Sequence, residues 1–127
     1  MNYMEEVEKF HKVFGLPVGS SPQLIPQKQF ANRLRLITEE LSEYCEGVAE
    51  GNIVKVADGL ADLLVVVFGT AVEHGLPMNE IFQQVSDSNM SKEDGYKDKA
   101  GKWIKPDNYT PVNLLWLKER IKNEHIN

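Results

Sequence analysis

Between Thr38 and Phe68 the chain reads TEELSEYCEGVAEGNIVKVADGLADLLVVVF, and few folds can accommodate that stretch. It carries two groups of carboxylates, Glu39-Glu40-x-x-Glu43 and Asp58-x-x-x-Asp62, with a turn around Gly51 between them. At about 100° per residue, Glu39, Glu40 and Glu43 fall within about 100° of one helical face. Asp58 and Asp62 sit one turn apart, about 40° from each other. A second helix folded back on the first would bring all five acids towards one another.

Such a cluster repels itself, and like-charge pairs at this spacing destabilise a helix. A positively charged partner would offset that cost. Every candidate ligand is an oxygen, with no His or Cys among them, which points to a hard divalent cation, Mg²⁺ or Mn²⁺.

The run Leu63 to Phe68 is apolar and partly β-branched, and periodicity alone does not separate a buried strand from a helix over so few residues. The spacing predicts a helix, because Val54 to Leu60 leads into the run without a breaker. A helix apolar on nearly all sides belongs inside a bundle or at a subunit interface. Gly69 on it is read as a close helix crossing.

The remaining helices follow from apolar spacing and breakers. Met4, Val7, Phe10, Val13 and Phe14 mark an amphipathic helix over 3–14, closed by Gly15 and Pro17. A Gly-, Pro- and Ser-rich loop runs to Pro26. The second helix is expected over about 27–50, with Phe30, Leu34, Ile37, Leu41, Tyr44 and Val48 as its apolar stripe. Asn52 is the expected N-cap of the third, and Gly75 its stop. A fourth opens at Pro77 and ends near Asn89, with Ile81, Phe82 and Val85 facing inward. Residues 91–110 lose periodicity and read as an ordered loop or a small hairpin. Thr110-Pro111 opens a last helix, with Leu114, Leu115, Leu117 and Ile121 as its apolar side. The expectation is one all-α domain over 1–127, a bundle of about five helices completed by oligomerisation.

Bulk properties narrow the function. The chain has 127 residues, 42% hydrophobic and 26% charged, as expected of one ordinary globular domain. A net charge of −5 argues against coating nucleic acid or an anionic membrane. The lone Cys45 forms no internal disulfide and suits a reducing cytoplasm. The N-terminal sequence has no basic-then-apolar signal pattern, and no apolar run is long enough to span a bilayer.

Two divalent ions held by Glu39, Glu40, Glu43, Asp58 and Asp62 would bind a polyphosphate and stabilise charge on its oxygens. Glu39 or Glu40, where not fully occupied by metal, would take a proton from water. Five lysines between Ser91 and Lys105 supply opposite charge, and Trp103 and Tyr96 offer rings on which a base would stack.

EExxE followed by a downstream acidic pair and an apolar helix resembles the all-α nucleoside triphosphate pyrophosphohydrolases, the MazG-like group. SNMSK at Ser88 to Lys92, DGY at Asp94 and GKWIKP at Gly101 to Pro106 look most like its phosphoribosyl-ATP pyrophosphohydrolase-like branch. The resemblance covers roughly residues 27–116. It implies hydrolysis between the α and β phosphates, giving a nucleoside monophosphate and pyrophosphate. It also implies Mg²⁺ on Glu39, Glu40, Glu43 and Asp62, phosphate contacts from Lys92, Lys105 and Asn89, and a homodimer or homotetramer. The chain departs from the pattern at one place: ExxD in the third helix would put its Glu at residue 59, which is Gly59, with Asp58 the nearest acid.

Blander readings stand beside these. A Glu-rich helix face is by default solvated, but acids beside LLVVVF are costly unless paired or coordinated. Glu46 and Glu50 read as solvent-facing, Trp103 and Trp116 as packing residues, Cys45 as a small buried hydrophobe, and His11, His74 and His125 as structural or surface groups. The rivals to a pyrophosphohydrolase are a nucleotide- or metal-sensing module that has lost turnover, and a purely structural helical interaction protein. A di-iron carboxylate bundle lacks its Glu-x-x-His pairs.

Overall fold

Three helices form the first part of the chain: α1 (Tyr3–Val13), α2 (Gln27–Ala49) and α3 (Ile53–Glu73). Each is punctuated where its chemistry demands. The Asn2 side chain accepts the Glu5 N–H at 3.2 Å to open α1, and Asn52 accepts that of Lys55 at 3.2 Å to open α3. Between α2 and α3, Gly51 adopts φ 66°, a left-handed conformation that glycine enters without strain. The turn there is tight enough to lay α3 antiparallel on α2.

This is a computed structural model, and it describes residues 1–121; His125 lies outside them. The chain is all-α. Its contacts resolve into two units, one built on Met1–Leu76 and the other Pro77–Arg120. The second unit holds α4 (Met78–Met90), a two-stranded antiparallel hairpin of β1 (Tyr96–Lys97) and β2 (Trp103–Ile104), and a 3₁₀ helix over Leu115–Arg120.

The α2–α3 seam is set by small residues. A Cβ at Gly59 would lie 3.0 Å from Tyr44 Cα, and one at Gly47 would lie 2.9 Å from the Val56 amide nitrogen. Backbone therefore approaches backbone at both places. The seam on α2 runs through Arg33, Ile37, Glu40, Tyr44 and Gly47, all buried or half-buried. The expected apolar stripe lies to one side of it: Phe30, Leu34, Leu41 and Val48 are exposed, and only Ile37 and Tyr44 of that set turn inward. Close packing at the glycines rotates the helix away from the orientation that side-chain hydrophobicity alone would choose. The same rotation leaves Cys45 exposed rather than buried.

A polar network occupies the centre of the first unit. Arg33 Nη1 donates to Glu73 Oε2 at 2.8 Å, its Nη2 to the Val66 carbonyl at 2.9 Å and its Nε to Thr70 Oγ1 at 3.1 Å. Gln29 donates to the other Glu73 oxygen at 2.8 Å. His11 is 2% exposed and gives its Nδ1 proton to the Pro17 carbonyl at 2.9 Å. Gly69 sits beneath Arg33 and His11, where the expected close crossing falls. His11, expected only as a structural or surface group, is thus a core residue that ties the 15–26 loop to the helices. Val7 shares the core of α1, whereas Phe10, Val13 and Phe14 are exposed.

On α4, Ile81 is buried and Val85 half-buried, but Phe82 is exposed. The last helix begins later than Thr110-Pro111 and is a short 3₁₀ run. The Thr110 N–H is taken by Ser91 Oγ at 2.8 Å, which holds the chain extended there, and Asn113 Oδ1 caps Leu115 at 3.0 Å.

Two stability outcomes follow. Arg33→Met leaves Glu73 buried without its counter-ion, and its unfolding free energy in urea should drop by about 3–5 kcal/mol. Gly59→Ala gains about 1 kcal/mol of helix propensity but forces a methyl group against Tyr44 backbone, an overpacking cost of about 1–3 kcal/mol. The variant should therefore melt at or below the wild-type temperature; a clear rise would mean the helices do not touch there.

Candidate functional site

The register set by Gly47 against Val56 and Tyr44 against Gly59 carries one further turn along the pair and puts Glu40 beside Asp62. Glu43, one turn after Glu40 on α2, joins them. One carboxylate oxygen from each of Glu40, Glu43 and Asp62 lies within 4.8 Å of the other two. Glu40 and Asp62 are half-buried and Glu43 is exposed.

Glu40 is the constrained member. Its Oε2 is buried and meets no hydrogen-bond partner. Burial first, then the charges of Glu43 and Asp62, a hydrogen bond with Glu43 and the charge of Glu39, raise its pKa above the ordinary glutamate value. Carboxylates gathered this closely are stabilised by a proton or a cation between them. An orphaned buried oxygen in an all-oxygen donor set is what a hard divalent cation satisfies, so the residues present fit such an ion.

The structure gathers three of the five acids expected as ligands. Glu39 turns outward to Arg35, whose Nη1 donates to Glu39 Oε1 at 2.9 Å. Asp58 is exposed, one turn before Asp62 and outside the group. Gly59 stands where the resembled pattern has an acid, and a side chain there would press on the α2 backbone at Tyr44. Glu46 and Glu50 are exposed, as expected, and both pair with Lys55, at 3.2 and 3.1 Å.

Asn89, Lys92 and Lys105 belong to the second unit. Lys92 Nζ donates to Asn89 Oδ1 at 3.1 Å, and Lys105 Nζ lies 4.6 Å above the Tyr109 ring. The end of α4 is tied to the hairpin by Trp103, whose Nε1 donates to the Lys92 carbonyl at 2.7 Å. Asn89, Met90, Lys92, Glu93 and Trp103 line a cleft of about 390 Å³. Met90 and Glu93 escaped the sequence reading; only their place in and after the SNMSK run could have flagged them.

No helix among the described residues is long and apolar enough to cross a membrane. A search among curated proteins finds no match to the chain. The family model for phosphoribosyl-ATP pyrophosphohydrolase matches residues 7–89, which run from within α1 into the last turn of α4 and include every acid of the cluster. With that match over well more than half its length, and with the acidic cluster on the α2–α3 pair, the chain belongs to the phosphoribosyl-ATP pyrophosphohydrolase family, within the MazG-like all-α pyrophosphohydrolases.

Proposed function

We propose that this protein is a Mg²⁺-dependent nucleoside triphosphate pyrophosphohydrolase, with Mn²⁺ able to substitute, acting in cytoplasmic nucleotide-pool housekeeping as a single domain over 1–127. The observation that carries the reading is the convergence of Glu40, Glu43 and Asp62 around the unpartnered, buried Glu40 Oε2. Family membership supports the reaction class.

Glu40, Glu43 and Asp62 would hold the cation, with Glu39 and Asp58 flanking them as the outer acids of the set. A divalent ion there supplies charge stabilisation at the phosphoryl oxygens and makes nearby water more acidic. Glu39, paired with Arg35 through Oε1 and outside the cluster, would keep its carboxylate off the metal and accept the proton of the attacking water; Glu40 is the other candidate base. The water oxygen bonds to the α phosphorus, the bond from that phosphorus to the bridging α–β oxygen breaks, and pyrophosphate leaves with the bridging oxygen. The other product is a nucleoside or deoxynucleoside monophosphate. Asn89, Lys92 and Lys105 would bind phosphate oxygens.

The substrate is a free nucleotide, not a nucleic acid polymer or a membrane. The assembly is a homodimer or homotetramer. Leu34, Leu41 and Val48 on α2, with Leu60, Leu64 and Val67 on α3, leave exposed apolar rows at roughly heptad spacing, a pattern a second copy would cover. Gly59 favours a second reading, a nucleotide- or metal-sensing module without turnover, since the packed glycine removes one acid of the pattern.

Incubation with a panel of NTPs and dNTPs plus Mg²⁺ separates the two: the enzyme releases pyrophosphate and monophosphate, whereas the module binds and releases neither. In the enzyme, Asp62→Asn should lower kcat at least about 100-fold, as expected when a ligand of a catalytic ion is lost. Glu40 gives a pH signature. Its pKa is higher in the folded state than in the unfolded one, so its contribution to stability is complete below the ordinary glutamate range and fades as pH rises through the raised value. Metal-free protein should therefore gain more thermal stability from Mg²⁺ at neutral pH than in acid, and Glu40→Gln should melt higher without metal yet respond little to it. An equal Mg²⁺ response at both pH values would remove the cluster as the metal site.

A further inference from the structure

We infer that the cleft between the end of α4 and the hairpin seats the nucleobase, with Trp103 as the platform on which the ring stacks. The inference rests on the nucleotide reading above and deepens it by assigning base recognition to the second unit. An indole offers a large apolar ring and one N–H donor. In Trp103 the N–H is committed to the Lys92 carbonyl at 2.7 Å, while the residue remains 45% exposed. That bond fixes the plane of the ring and leaves its apolar surface on offer. Met90, 65% exposed, adds a soft thioether to the same cleft.

Around this apolar floor stand groups that read the edge of a planar ring. Asn89 accepts from Lys92 through Oδ1, which leaves its amide N–H groups as donors, and Glu93 offers an acceptor. A nucleobase has both faces of a π-system and in-plane donors and acceptors, so it uses the floor and the rim together. A volume of about 390 Å³ falls within the range of small-molecule sites. Stacking on an aromatic side chain is tolerant of base identity, so selectivity among bases falls to Glu93 and to the Asn89 N–H that a phosphate oxygen does not take.

Trp103→Phe and Trp103→Ala test this, because both lose the N–H bond to Lys92 and only the first keeps a ring. KM for the preferred nucleotide should rise about tenfold in Trp103→Ala and stay within about twofold in Trp103→Phe, with kcat little changed. Inhibition by inorganic tripolyphosphate, which has no base, should be equal in all three proteins. Uncharged nucleosides should quench the fluorescence of the wild type and leave that of Trp103→Phe, which retains Trp116, unchanged. Equal impairment of both variants would reduce Trp103 to a packing residue and overturn the inference. So would a matching loss of tripolyphosphate inhibition, or the absence of nucleoside quenching, as expected if a second copy of the chain covers the cleft. The two proposals fail separately: nucleoside quenching at Trp103 without hydrolysis of any nucleotide sinks the enzyme and keeps the base cleft, while hydrolysis unaffected by Trp103→Ala does the opposite.

Discussion

The close approach of α2 and α3 is the constraint on which the first unit depends. Where Gly47 meets Val56 and Gly59 meets Tyr44, no side chain separates the two backbones. Closeness at these points fixes both the separation and the register of the pair. Dispersion contacts fall off steeply with a gap of even half an ångström, so a slip of one residue would forfeit packing along the whole seam. The acids need that rigidity. Glu40, Glu43 and Asp62 repel one another, and without an imposed geometry they would relax apart into water.

Two charged groupings thus lie on the same helix pair and solve opposite problems. Towards one end, Arg33 and Glu73 form a buried pair whose donors and acceptors are nearly all used, including Gln29, Thr70 and a backbone carbonyl. Such a pair adds little net stability over a well-packed apolar core, but a broken one is costly, so it penalises alternative packings. Further along, the acidic cluster holds Glu40 Oε2 buried without a hydrogen-bond partner. The satisfied network holds the scaffold; the unsatisfied one is where a ligand gains most.

Much of the fold was legible because it is local. The helix limits around the α2–α3 pair follow from Gly51, Asn52 and Gly75, each acting on backbone within a turn or so of itself. The strand alternative for Leu63 to Phe68 fails for the same reason: nothing between Asn52 and Gly75 interrupts helical hydrogen bonding. Rotations about the helix axes were harder to read. Hydrophobicity placed Phe30, Leu34, Leu41 and Val48 inward and Cys45 in the core, while the glycines turned Arg33, Glu40 and Gly47 into the seam instead. An apolar side chain records a preference for burial without saying against what; at a subunit interface the same residues would be satisfied.

The sequence by itself determined that five acids lie on adjacent helical faces, that all candidate ligands are oxygens, and that the chain is helical. These depend on residue type and on the 3.6-residue period, both of which are written in one dimension. The tertiary structure decided which acids meet. Glu40, Glu43 and Asp62 converge, whereas Glu39 is held outward by Arg35 one turn away and Asp58 stays in solvent. It also decided that the Trp103 N–H is bonded to the Lys92 carbonyl while the residue stays exposed. Each of these turns on the crossing of two segments or the closure of a hairpin, and distances across a fold follow from packing contacts that no single helix contains.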